Sequence, residues 1–88
     1  MPDIIAAHAI SPRTLSIQFD NGYQGALNLD DFINNYTGVF KPLLDPEYFN
    51  RLSINTDLGT ICWPNGADLC PDSVYTHMQK VSDLDVPT

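Results

Sequence analysis

The stretch Thr14-Leu15-Ser16-Ile17-Gln18-Phe19-Asp20-Asn21-Gly22-Tyr23-Gln24-Gly25-Ala26-Leu27-Asn28 decides the fold. Leu15, Ile17 and Phe19 alternate with polar neighbours, so they line one face of a strand. Asp20-Asn21-Gly22 is a turn signal, and residues 23–28 make the return strand. The loop length follows from the faces. A two-residue Asn21-Gly22 loop sets Phe19 against Gln24 and mixes apolar with polar. A three-residue loop pairs Phe19 with Tyr23, Ile17 with Gly25 and Leu15 with Leu27, and so keeps the apolar residues together. The expected geometry is a type I turn with Gly22 as a left-handed bulge.

The same pattern returns downstream as Trp63-Pro64-Asn65-Gly66-Ala67. Pro64 suits the first corner of the turn, Asn65 follows it, and Gly66 takes the bulge. The three-residue rule then pairs Trp63 with Ala67 and Ile61 with Leu69. Residues 4–10, 52–55 and 60–63 also read as strands. Between the hairpins, Asn28 is an N-cap, with Asp30 and Asp31 in the first turn. Leu29, Phe32, Ile33 and Tyr36 share a helical face that Gly38 should end. Asp45 caps a second short helix with Pro46 at its first position. Pro71 opens a C-terminal helix of about ten residues, with Val74, Tyr75, Met78 and Val81 on one side. The expected architecture is a single α+β domain over residues 1–81. It has two antiparallel three-stranded meanders, two short helices between them and a C-terminal helix. Residues 82–88 are expected to be a frayed acidic tail.

The chain has 88 residues, eleven acidic and four basic, for a formal net charge of -7. That length holds one small core. The acidic balance argues against unaided binding to nucleic acid or anionic lipid. No apolar run is long enough to span a membrane. The N-terminus carries no secretory pattern, so the expected location is the cytoplasm. Cys62 and Cys70 are too few for a disulfide scaffold and should be free thiols.

Motifs for chemistry are sparse. Cys62, Cys70, His77 and His8 lack paired metal-ligand spacing, so no metal and no cofactor is expected. In the proposed register Cys62 faces Asp68 with Cys70 diagonal to it, a poor disulfide geometry. Neither histidine lies beside a nucleophile motif, and no phosphate loop or His-Glu-x-x-His is present, so no catalytic residue is assigned. The carboxylates sit mostly at turns and helix starts, where capping accounts for them. Aromatic residues are numerous, and Tyr36, Phe40 and Trp63 are the candidates for an exposed patch, with Asp68 alongside. Gly22, Pro64, Asn65 and Gly66 are assigned to turn structure.

Three segments taken together resemble a known family: Phe19-Asp20-Asn21-Gly22-x-x-Gly25, Val39-Phe40-x-Pro42-Leu43-x-Asp45-Pro46-Glu47-x-Phe49, and Gly59-Thr60-Ile61-x-Trp63-Pro64-Asn65-Gly66-Ala67-Asp68-Leu69-x-Pro71-x-x-x-Tyr75. The resemblance is to the bacterial Domain of Unknown Function 2442 family, over about residues 4–78. It implies a small α+β protein. Some members carry an added helix-turn-helix segment, which is not expected here. Many are encoded beside another small protein, which implies a toxin–antitoxin setting. It implies no catalytic residues.

The expectation is therefore a non-enzymatic interaction or regulatory module, the acidic antitoxin-like partner of a basic protein. The alternative is a small-ligand-binding protein or enzyme with a pocket near Trp63, Asp68 and His77. A homodimer is also expected. Nine aromatics carry more large apolar area than so small an interior readily hides, and six short strands leave sheet edges open.

Overall fold

The computed structural model describes residues 2–84. Strands β1 (Ile4–Ser11), β2 (Thr14–Phe19) and β3 (Gln24–Asn28) form one antiparallel sheet in the order β1-β2-β3. Strands β4 (Ser53–Asn55), β5 (Thr60–Cys62) and β6 (Asp68–Leu69) form a second, in the order β4-β5-β6. Helix α1 (Leu29–Phe32), a 3-10 segment (Gly38–Leu44) and helix α2 (Pro46–Phe49) lie between the sheets in sequence, and α3 (Pro71–Leu84) follows them. This is the α+β arrangement read from the sequence.

Both hairpins have the register that the apolar faces demand. Leu15 pairs with Leu27 and Ile17 with Gly25, while Ile61 pairs with Leu69 and Cys62 with Asp68. Phe19 N donates to Tyr23 O at 2.8 Å, and Gly22 N to Phe19 O at 3.1 Å. The second loop repeats these bonds: Trp63 N to Ala67 O at 2.9 Å and Gly66 N to Trp63 O at 3.1 Å. Gly22 and Gly66 both have φ of 91°, a conformation that costs glycine nothing and strains a side chain.

The faces then make the core. Leu15, Ile17 and Phe19 are 0–1% exposed, and they join Ile4, Leu27, Leu29, Leu43, Phe49, Ile61, Trp63, Leu69, Val74 and Met78 in one cluster. Each such side chain contributes roughly 1.5–3 kcal/mol over leaving it in water. The sheets meet at the start of β1. Ile4 N donates to Gly59 O at 3.0 Å, and β1 lies alongside β4 and β5. Helix α3 closes the first sheet: the Tyr75 ring meets Phe19 edge-on at 5.0 Å, and a Cβ at Gly25 would sit 3.3 Å from Met78 Cε.

Three features differ from the sequence reading. The helix expected as far as Tyr36 stops at Phe32. Ile33 leaves it at φ -109°, ψ 109°, and β-branched Ile33 followed by Asn34 and Asn35 is a weak continuation. Apolar spacing persists to Tyr36 because that ring still packs on the core from irregular backbone. The C-terminal helix includes Ser82 to Leu84, so it reaches past the ten residues expected. The remainder of the acidic tail, 85–88, lies outside the described residues. Finally, the small interior accommodates the aromatics. Phe19, Phe49 and Trp63 are buried, and the other six are half-buried against the core. The exposed large apolar side chains are aliphatic: Ile5, Ile10, Val39, Leu44 and Leu58.

Candidate functional site

The Trp63–Ala67 loop is framework. Trp63 is 3% exposed, stacks on Phe49 at 6.0 Å, and donates its indole N–H to Phe49 O at 2.9 Å. A buried indole N–H needs such an acceptor. Asn65 acts as a bracket. Its Oδ1 accepts from Ala67 N at 3.1 Å, its Nδ2 donates to Val39 O at 2.8 Å, and its backbone N–H donates to Tyr48 Oη at 2.9 Å. The hairpin tip is thereby tied to the 3-10 segment and to α2. Trp63 is closed off from the surface, so Tyr36, Phe40, Trp63 and Asp68 do not form one exposed patch. Asp68 is exposed on β6, Phe40 is half-buried in the 3-10 segment, and the Tyr36 hydroxyl is engaged elsewhere.

That engagement is a clasp at the other end of the first sheet. Ser11-Pro12-Arg13-Thr14 closes β1 onto β2, with Arg13 in the left-handed region at φ 57°. The strain is held by two bonds: Arg13 O accepts from Leu29 N at 2.7 Å, and Arg13 Nε donates to Asp30 Oδ1 at 2.8 Å. Tyr36 Oη donates to the same Asp30 oxygen at 2.8 Å. The bond from Arg13, then that from Tyr36, holds the Asp30 carboxyl below its ordinary range. Burial, then the carboxylate, pushes the Tyr36 phenol well above its own. Among the described residues Arg13–Asp30 is the one ion pair, and it lies at the surface. Capping logic had explained Asp30 by its helix start alone. Pro12 before Arg13 was the available turn signal.

Cys62 is half-buried with its Sγ 3.5 Å from Ser53 Oγ, Cys70 is exposed, and both are free thiols. No group of three or more His, Cys, Asp or Glu among the described residues is placed to hold a metal ion. His77 meets Phe32 edge-on at 5.3 Å and lines two shallow cavities. One is shared with Asp72, Ser73 and Lys80, the other with Thr14, Asp31 and Met78. Neither includes Trp63 or Asp68, and Trp63 is buried, so these cavities among the described residues do not join the three. No described helix is long and apolar enough to cross a membrane.

Two surface features remain. The nine acidic side chains with described environments, Asp3 through Asp72, are all exposed. A groove of about 280 Å³ runs between the end of β1 and α2, lined by Ala9, Ile10, Ser11, Pro12, Pro46, Phe49 and Asn50.

A family model described as Protein of unknown function (DUF2442) matches residues 4–80. The chain belongs to that family. No curated protein and no solved structure matches it.

Proposed function

We propose that this DUF2442 chain is a non-enzymatic interaction module whose acidic surface receives a basic partner protein, in the manner of an antitoxin. One observation carries the reading. All nine acidic side chains from Asp3 to Asp72 are exposed, and only Asp30 has a basic side chain beside it among the described residues. An unneutralised surface of one sign accelerates encounter with a partner of the other sign and discriminates against like-charged competitors. The carboxylates are spread over turns and helix starts, which suits a broad docking face better than a converging catalytic pair.

Affinity capture tests this. The immobilised chain should retain a basic protein from its source cell at physiological salt, released as salt is raised. An unrelated acidic domain of equal charge should not retain it. Equal retention by the two baits, or no basic protein at all, would overturn the proposal.

A further inference from the structure

Asn21-Gly22 and Asn65-Gly66 are the same dipeptide at the same place in the same kind of loop. An asparagine followed by glycine can lose its side-chain amide without a catalyst, because no Cβ on the next residue shields the backbone nitrogen that attacks. At the first loop, Gly22 N loses its proton and bonds to Asn21 Cγ. The Cγ–Nδ2 bond breaks, and Nδ2 leaves as ammonia. Water then opens the five-membered imide at one carbonyl or the other. One opening leaves an ordinary aspartyl at position 21. The other leaves an isoaspartyl, whose main chain runs through Cβ and is one methylene longer. The same steps are open to Asn65 with Gly66 N. All four residues are exposed, so access of water does not separate the two loops.

Their bonds do. The attacking nitrogens are held alike, Gly22 N by Phe19 O and Gly66 N by Trp63 O, both at 3.1 Å. The Oδ1 atoms are also held alike, by Tyr23 N at 3.0 Å and Ala67 N at 3.1 Å. The amides that must leave are not. Asn65 Nδ2 donates to the backbone carbonyl of Val39 at 2.8 Å, and Asn65 N–H donates to Tyr48 Oη at 2.9 Å. Side chain and main chain of that residue are thus both fastened to another segment, and Pro64 fixes φ one residue earlier. Asn21 Nδ2 has a longer bond, 3.2 Å, to the Tyr75 hydroxyl, and Asp20 precedes it with no ring to stiffen the turn. Imide closure needs the asparagine to leave its turn conformation, so the loop with the smaller opening cost reacts first.

We propose that Asn21 is a site of spontaneous deamidation in the folded chain, while Asn65 is protected by its ties to Val39 and Tyr48. The product sets a carboxylate next to Asp20, and the Tyr75 hydroxyl, which accepts from Nδ2 in the unmodified chain, donates to it instead. The isoaspartyl form lengthens the loop that the Phe19–Tyr23 bond closes. Either product adds one negative charge to a chain already at -7. The inference needs no partner and stands apart from the basic-partner reading.

The test is peptide mapping of the full folded chain after incubation in mildly alkaline buffer. Trypsin cuts after Arg13, Arg51 and Lys80 but not at Lys41-Pro42, so Asn21 falls in the peptide 14–51 and Asn65 in 52–80. Fragmentation locates the amide-to-acid mass change and separates aspartyl from isoaspartyl. Position 21 should convert at least about tenfold faster than position 65. In denaturant, with the tertiary bonds gone, the two should convert at comparable rates. Tyr75→Phe removes the acceptor of Asn21 Nδ2 and should speed conversion at position 21 alone. Tyr48→Phe removes the acceptor of Asn65 N–H and should speed it at position 65 alone. Both variants keep the ring that packs on the core, so both should fold. Equal rates in the folded chain, faster conversion at position 65, or conversion at position 21 only in denaturant would overturn the proposal. So would a gap of the same size in denaturant, which would assign the selectivity to local sequence.

Discussion

The loops Phe19–Tyr23 and Trp63–Ala67 are nearly the same object and do different work. Their glycines share a φ of 91°, and their asparagines both accept from the residue just before the return strand, at 3.0 and 3.1 Å. Beyond the loop the two diverge. Asn21 reaches out once, donating to Tyr75 Oη at 3.2 Å. Asn65 holds both Val39 O and Tyr48 Oη, and the aromatic before it holds Phe49 O. Local sequence sets the loop conformation in both cases. What hangs from the loop is set by tertiary neighbours: the first loop makes one side-chain bond to α3, whereas the second fastens residues 38–50 to its sheet with three.

The largest expected effect comes from the aromatic before each loop. Phe19→Ala and Trp63→Ala should each cost about 3–5 kcal/mol in chemical denaturation. The conservative change separates them: Trp63→Phe keeps a ring yet leaves Phe49 O without its donor, adding about 1–2 kcal/mol of desolvation that has no counterpart at Phe19. Equal stability of Trp63→Phe and wild type would show that the indole bond contributes nothing.

The asparagines come next. Each alanine change removes two side-chain bonds; those of Asn65 both go to backbone groups, one on the 3-10 segment and one part-buried, so Asn65→Ala should cost about 2 kcal/mol and Asn21→Ala about 1 or less. Matching costs would erase the distinction drawn between the loops. The glycines should not differ. No atom lies within 4 Å of a Cβ built at Gly22 or Gly66, so each alanine substitution should cost about 1 kcal/mol, from backbone conformation alone. A gap between them well above experimental error would mean that one loop is not the simple bulge described.

The smallest effect is electrostatic. The Asp30 carboxyl titrates lower in the folded chain because Arg13, then Tyr36, donates to it. Its stabilisation is therefore present above the unfolded carboxylate value of about 4 and is lost as pH falls through the lower folded value. Denaturation midpoints of Asp30→Asn and wild type should converge as pH drops through that window. Parallel curves would show that the clasp is not coupled to folding.

Much of this was legible from residue order. The hairpin registers follow because a one-residue slip puts Leu15, Ile17 and Phe19 in water. Asn28 and Asp45 cap α1 and α2 as their residue types suggest, accepting from Asp30 N and Glu47 N. The end of α1 was not legible, since helical spacing at Tyr36 survives without helix. Nor was the burial of Trp63: an aromatic beside a turn reads equally as lid or as exposed anchor, and the neighbour that decides, Phe49, is 14 residues away.

The contrast between the two loops is the core of the account, and amide hydrogen exchange on the free chain tests it most directly. Asn65 N–H and Ala67 N–H, bonded to Tyr48 Oη and Asn65 Oδ1, should exchange slowly, near the rate set by global unfolding. Tyr23 N–H, bonded to Asn21 Oδ1 in the first loop, should exchange faster. Equal protection of the Tyr23 and Ala67 amides would contradict it.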